Sequence, residues 1–228
     1  MSGAGGCNAK RLILASVGAA AILAFASMAN ASGISNGGFE LGSPNAALFQ
    51  TIGAGNSTTI TDWTVGGSSI DWIHGYWEGS SGSLLDKSVD LSGNQHGSIS
   101  QVISDLVSGQ WYKLSFDTAL NPDEIPGPAI SQSLSWSLGA QNGVATGTTH
   151  PNTAWTSFDF LFQWAGASTA TLLFATTVSP NNCCYGPALD NVALEAVPLP
   201  AALPLFAAGL GIMGYFGSRR RHKAALAA

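Results

Sequence analysis

The middle of the chain, residues 32–196, predicts an all-β domain folded as a two-sheet sandwich or jelly roll, and three observations carry that prediction. Short runs of alternating apolar and polar residues recur along it, as strands with one buried and one wet face require. Gly, Ser, Asn and Pro separate the runs and supply turn chemistry. Long helical periodicity is missing, and no internal repeat suggests a propeller or solenoid. Both ends are set aside before the fold is read, because targeting segments do not belong to it.

At the N-terminus, Lys10 and Arg11 precede an apolar run from Leu12 to Met28, and Ala29-Asn30-Ala31 places small residues three positions and one position before a cut. This order predicts a secretory signal peptide over 1–31, with export by the general secretion machinery and cleavage by signal peptidase. An uncleaved anchor is the competing reading, but the run ends in a cleavage-type triplet rather than in charges.

Within the domain, Tyr112, Leu114 and Phe116 alternate with Lys113, Ser115 and Asp117. Leu134, Trp136 and Leu138 against Ser133, Ser135 and Ser137 repeat the pattern, and Phe158, Phe160 and Phe162 repeat it again. Further strands are expected around 60–65, 69–73, 88–91, 98–103, 169–176 and 189–194, with turns at Asn94, Gly109, Asn142-Gly143 and Asn181-Asn182. Roughly eight to ten strands then share one core between two sheets. Residues 121–128, with three prolines and two acids, read as a surface loop.

All thirteen Asp and Glu fall between Glu40 and Glu195, against Lys87 and Lys113 alone among the basic residues, a formal charge near −11. Nucleic acid is excluded as a partner, since no basic stripe exists to neutralise phosphates. The same balance suits divalent cations and a life outside the cytoplasm. After removal of Cys7 with the signal, only Cys183 and Cys184 remain. Their Cα atoms lie about 3.8 Å apart, below the usual disulfide range, so a strained ring, an intermolecular bridge and two thiols all stay open.

Past the domain, residues 197–223 combine Val197-Pro198-Leu199-Pro200, an apolar stretch from Ala201 to Gly217, and the basic cluster Arg219, Arg220, Arg221, His222 and Lys223. The seventeen residues of that stretch sit at the short end of a bilayer span, roughly 17 to 25. The basic cluster stays cytoplasmic by the positive-inside bias, which puts the acidic domain across the membrane. Pro204 and the glycines suit a transient hydrophobic helix better than a permanent one. A buried core helix is the alternative.

Asn36-Gly37-Gly38-Phe39-Glu40 at one end of the domain and Gly186-Pro187-Ala188-Leu189-Asp190-Asn191-Val192 at the other resemble the bracketing motifs of the choice-of-anchor C family. The resemblance continues through Asp62-Trp63-Thr64-Val65, Ile70-Asp71-Trp72-Ile73, Tyr76-Trp77, Val89-Asp90-Leu91-Ser92-Gly93, Gly97-Ser98-Ile99-Ser100-Gln101, Tyr112-Lys113-Leu114-Ser115-Phe116 and Asn121-Pro122. That family is similar to a plant cell-wall domain of unknown function and to galactose-binding-like carbohydrate-binding modules, which implies a galactose-binding-like jelly roll. The tail resembles a PEP-CTERM sorting signal, with Leu199 where a Glu is usual. This implies recognition by an exosortase-type membrane protease, cutting near Pro198 and Pro200, followed by release to the cell surface or matrix.

Two constellations carry candidate chemistry. By resemblance to carbohydrate-binding sandwiches, Glu40 and Asp190 are expected to share a structural Ca²⁺ with backbone carbonyls near Asn36 and Asn191. The alternative is a turn-capping Glu40 and a solvated or hydrogen-bonded Asp190. The stretch 63–78 gathers Trp63, Trp72, Tyr76 and Trp77 among Asp62, Asp71, His74 and Glu78. Indoles and phenols stack on sugar rings while carboxylates accept their hydroxyls. Alternation favours the core for Trp63 and Trp72, which leaves Tyr76 and Trp77 as the exposed platform, with Asp71 and Glu78 as polar partners. Asp71 and Glu78 could also meet the spacing of a glycosidase pair. No G-x-S-x-G elbow, H-E-x-x-H helix or phosphate-binding glycine loop occurs. His74, His96 and His150 stand apart in sequence and read as loop histidines. The sequence thus predicts an exported, non-catalytic surface or matrix protein that binds extracellular polysaccharide. A purely structural matrix protein and a weak glycosidase are the alternatives.

Overall fold

In the computed structural model, the residues described are 33–123, 132–147, 155–178 and 184–197, together with Leu210 and Met213. Apart from those last two, each helical and exposed, they belong to one unit spanning 28–199. The signal segment 1–31, Asn181-Asn182, Cys183, His150, most of 121–128, Pro198, Pro200 and the arginines of the tail lie outside the described residues. Among the described residues no helix is long and apolar enough to cross a membrane.

The described strands are β1 (Phe49–Gly53), β2 (Thr64–Gly67), β3 (Ser69–Ile73), β4 (Ser88–Asp90), β5 (Gly97–Ile103), β6 (Trp111–Ala119), β7 (Gln132–Leu138), β8 (Gln141–Gly147), β9 (Thr156–Gln163), β10 (Ala170–Val178) and β11 (Ala188–Val197). They form a six-stranded sheet, ordered β1-β3-β4-β11-β6-β9, and a five-stranded sheet, ordered β2-β5-β10-β7-β8. All the pairings are antiparallel. The expected all-β sandwich is what the chain forms.

Period-two alternation builds the core. Ile70, Trp72, Val89, Leu114, Phe116 and Leu189 from the larger sheet pack against Val65, Ile99, Leu134, Trp136, Leu172 and Phe174 from the smaller one. The Phe116 and Phe174 rings meet edge to face at 5.0 Å, a favoured aromatic geometry that ties the sheets together. Trp63 and Trp72 are both buried in this core, as alternation favoured. Each also anchors the N-terminal segment: Trp63 Nε1 donates to Asn36 O at 2.9 Å, and Trp72 Nε1 to Phe39 O at 3.1 Å.

The two bracketing motifs meet. Val192 N donates to Gly37 O at 2.9 Å, and a Cβ on Gly37 would lie 1.9 Å from Val192 O. Only glycine permits that approach. Nearby, β11 carries a register shift between Asp190 and Ala193, with Asn191 at a φ of 49°. The bulge turns the Asp190 side chain toward the loop described below.

Three expectations are corrected, and one strand lies outside them. Residues 60–63 are not strand: Ile60 makes an isolated bridge to Gly42, and Asp62, at a φ of 66°, turns the chain before β2. Asn142-Gly143 is not a turn but the start of β8, the reversal falling on Gly139 and Ala140. Gly143 packs instead of turning, since a Cβ there would be 2.6 Å from Trp136 Nε1. β1 was not anticipated at all. Finally, Val197, read as the opening of the tail, is the last residue of β11, where its carbonyl accepts from Gln110 Nε2 at 2.6 Å.

Candidate functional site

One lateral row crosses the outer face of the larger sheet. Thr51 opposes Asp71, Asp71 opposes Asp90, Asp90 opposes Ala188, and Ala188 opposes Ala119. Alternation alone would leave this row in water. Instead the connection between β3 and β4, residues 74–87, folds back over it, and Trp77 packs on Ile73, Ala119 and Ala188. Trp77 is 2% exposed, and its Nε1 donates to Ser88 Oγ at 2.9 Å. Its expected exposure is therefore corrected: the indole is the apolar plug that holds the loop down.

Beside that plug lies a cavity of about 320 Å³. Asp71 and Asp90 line it from the sheet, Tyr76 and Trp77 from the loop, Asn121 and Asp123 from the segment after β6, and Tyr185 from the segment before β11. Phe49 and Asn94 are among the other residues that line it. Tyr76 is 43% exposed, its ring 5.3 Å from that of Phe49, and its hydroxyl donates to Asp123 Oδ1 at 2.9 Å. The hydrogen bond to Asp123 is the main reason its phenol is held above the ordinary range.

The carboxylates differ in their partners. Asp90 is fully buried; its oxygens accept from Ser92 N at 2.7 Å, Asn121 Nδ2 at 2.6 Å and Gly186 N at 3.3 Å. Burial outweighs these donors and holds its acid well above the ordinary range, with neighbouring Asp71 adding to the effect. Asp71 accepts from Thr51 Oγ1, and its other oxygen has no hydrogen-bond partner among the described residues. Its acid is raised too, by burial first. Asn121 is held in turn, its N–H donating to Gln132 Oε1 at 2.8 Å.

Of the four residues expected to bind carbohydrate, the cavity brings together Asp71, Tyr76 and Trp77. Glu78 is not among its lining residues; its carbonyl accepts from Trp155 Nε1 at 3.3 Å. Sequence reading did not single out Asp90, Asp123 or Tyr185. Asp90 carried a signal, as a lone acid between Val89 and Leu91, but nothing local revealed that a loop would bury it.

Glu40 and Asp190 both approach Gly38: a Cβ there would be 3.8 Å from Asp190 Oδ1, 3.7 Å from Asn191 Oδ1 and 3.9 Å from Glu40 Cγ. The Glu40 carboxylate, however, is held by Lys87, whose N–H reaches Oε1 at 2.6 Å and whose Nζ reaches Oε2 at 2.9 Å. Lys87 Nζ also donates to Glu40 O at 2.9 Å. Asp190 accepts from Ser80 N at 3.0 Å and from Asn191 N at 2.7 Å. Burial pushes its acid up to about 7 despite those donors. An ion shared by the two would have to displace the Lys87 ammonium. Among the described residues no group of three or more His, Cys, Asp or Glu is arranged to hold a metal.

Comparison with known proteins adds the following. Residues 32–195 match the model of a family described as a protein of unknown function (DUF642). Halomucin of Haloquadratum walsbyi (strain DSM 16790 / HBSQ001) is 29% identical over 180 residues, which cover 75% of this chain and 2% of halomucin. The chain thus spans a small fraction of that relative's length. Two solved carbohydrate-binding modules are similar in structure. TmCBM61, in complex with β-1,4-galactotriose, has a TM-score of 0.44 at 12% identity and covers 74% of this chain and 100% of its own. A family 35 module from Clostridium thermocellum has a TM-score of 0.41 at 15% identity and covers 65% and 98%.

Proposed function

The chain belongs to the family described as DUF642, and from that premise we propose that its sandwich is a non-catalytic binding domain which takes an extracellular polysaccharide at the cavity beneath Tyr76. One observation carries the proposal: a half-exposed aromatic ring, backed by Phe49, stands over a recess lined by Asp71, Asp123, Asn94 and Asn121. A flat apolar face beside convergent polar groups matches a sugar ring, whose C–H face stacks and whose hydroxyls donate. The recess suits one or two sugar units, at the small end of ligand cavities.

Affinity electrophoresis against a polysaccharide panel, including the producer's own exopolysaccharide, tests this. Wild type should be retarded by at least one polysaccharide, and Tyr76→Ala should run free while staying folded, its stability within about 1 kcal/mol of wild type. Retention undiminished in Tyr76→Ala would remove the cavity from the site; no retention on any polysaccharide would favour a purely structural matrix role. Release of reducing sugar by wild type would favour the glycosidase alternative.

We also propose that a structural Ca²⁺ binds between Glu40 and Asp190. The approach of both residues to Gly38 supports it, and the ion pair of Glu40 with Lys87 opposes it. Millimolar Ca²⁺ should raise the melting temperature, more so in Lys87→Met, and chelator should reverse the gain. No shift in either protein would leave Glu40 as the partner of Lys87 and nothing more.

Export, surface or matrix location and processing of the tail by an exosortase-type protease complete the proposal, on the sequence of the two ends and on the resemblance to choice-of-anchor C and PEP-CTERM proteins. The intact mass of the mature product from its native host reads both processing points. A full-length product in the cytosol would overturn this part and leave the cavity untouched.

A further inference from the structure

We propose that the glycan selected by the cavity carries a free amino group, so that its natural ligand is an amino sugar rather than an acidic or uncharged one. The inference rests on reading the cavity as a glycan site and concerns the charge of what enters. Three carboxyl side chains, those of Asp71, Asp90 and Asp123, line one recess of about 320 Å³. Among the described residues no lysine or arginine lines it. The two lysines of the domain are engaged elsewhere, Lys87 with Glu40 at 2.9 Å and Lys113 toward Asp159 at 3.9 Å.

The neutral donors inside the recess do not fill the carboxylates. Asp90 takes N–H donors on both oxygens, but Asp71, directly opposite it across β3 and β4, takes one hydroxyl on one oxygen. Two acids facing each other on adjacent strands resist ionising together, and a partly dry wall raises that cost, so an arriving cation stabilises their charged forms. A hydroxyl arriving at Asp71 supplies one more dipole. An ammonium supplies a charge, which both carboxyls feel, together with up to three N–H donors.

The aromatic wall selects in the same direction. Tyr76, Phe49 and Tyr185 all line the recess, with the Tyr76 and Phe49 rings 5.3 Å apart, and the π-faces of such rings attract cations within about 6 Å. A uronate or sulfated sugar would meet the same carboxyls with a like charge. A divalent metal is a poorer occupant, because the Asp90 oxygens it would need already accept three N–H groups.

The test uses small probes, since a polycation would adhere to any acidic protein. Binding of the β-1,4-linked glucosamine disaccharide is measured by calorimetry near neutral pH and low salt, against its di-N-acetylated form, cellobiose and a glucuronate disaccharide. The free amine should bind about tenfold or more tighter than its acetylated form, the equivalent of about 1.4 kcal/mol. Asp71→Asn keeps an acceptor for Thr51 and should lose that preference, read as the ratio of amine to acetylated affinity, whatever happens to its overall affinity. Asp105→Asn removes one exposed carboxylate outside the cavity, at a φ of 61° that asparagine tolerates, and should leave the preference intact. Equal affinity for amine, acetamide and cellobiose would overturn the amino-sugar inference and leave the glycan reading standing. So would tightest binding of the glucuronate probe, or equal loss of preference in both variants. Failure of every probe to bind, with no polysaccharide retarding the protein, would overturn both.

Discussion

Tyr76 and Trp77 are adjacent, equally aromatic and physically opposite. Trp77 is buried against Ile73, Ala119 and Ala188, so Trp77→Ala leaves a cavity under the loop and should cost about 3–5 kcal/mol in urea denaturation. Tyr76 gives up a rim contact and one exposed hydrogen bond, and Tyr76→Ala should cost no more than about 1 kcal/mol. A reversed order would show that Tyr76, not Trp77, fastens the loop. Gly37 and Gly38 form a second pair of neighbours with unequal demands. A methyl on Gly37 would strike Val192 O, whereas one on Gly38 would meet ordinary contacts at 3.7 Å and beyond. Gly37→Ala should therefore separate the N-terminal segment from β11 and lower stability by about 2 kcal/mol or more, with Gly38→Ala close to wild type. Equal melting temperatures for the two would mean that the segment docks less closely than its hydrogen bond to Val192 implies.

The loop 74–87 decides what the larger sheet does. It lies over the outer face through Trp77, through Ser80 N on Asp190, through Asn191 Nδ2 on Ser80 Oγ at 2.6 Å, and through Trp155 Nε1 on Glu78 O. It also supplies Tyr76 to the cavity. Asp190→Ala should raise amide exchange at Ser80 and Ser81 while the β6–β11 ladder stays protected; unchanged protection would mean that Trp77 alone pins the loop. This loop also marks the limit of what the sequence discloses. Strands such as β6 and β7 were legible because period-two alternation is a local pattern, and it placed Trp63 and Trp72 in the core correctly. The same alternation assigns Asp90 and Asp190 to the outward face, which is right, and leaves them wet, which is not: both are fully buried. Whether a connection returns to cover a face depends on contacts far apart in sequence, such as Trp77 with Ala188. Tyr76 and Asp71 could be nominated from a local cluster of aromatics and acids, but Asp123 and Tyr185 reach the cavity only through the fold.

Charge is divided between the sheets. None of the residues in β2, β5, β7, β8 and β10 is charged, while the larger sheet carries Asp71, Asp90, Lys113, Asp117, Asp159, Asp190 and Glu195. Three of those acids, Asp71, Asp90 and Asp190, are held above the ordinary value of 3.8, each mainly by burial. A carboxyl whose folded pKa is raised binds its proton more tightly in the folded state. The resulting stability is fully present below the unfolded pKa and is lost as pH rises through the folded one. For Asp190 that window runs from 3.8 to about 7, a loss of about 4 kcal/mol at most. His74, whose imidazole burial holds below 6.5, acts in the opposite sense, costing stability as pH falls through its folded value. Three acids against one histidine set the sign: the domain should melt at a higher temperature at pH 5 than at pH 8, and Asp190→Asn should flatten that slope. Repulsion within an acidic domain would also lower the melting temperature as pH rises, but salt separates the two causes. Raising ionic strength shortens the Debye length from about 10 Å at 0.1 M to about 3 Å at 1 M, which screens exposed charges and leaves the desolvation of buried carboxyls unchanged. The pH slope should therefore survive high salt; a slope that vanishes there would assign it to surface repulsion and remove the buried acids as its cause.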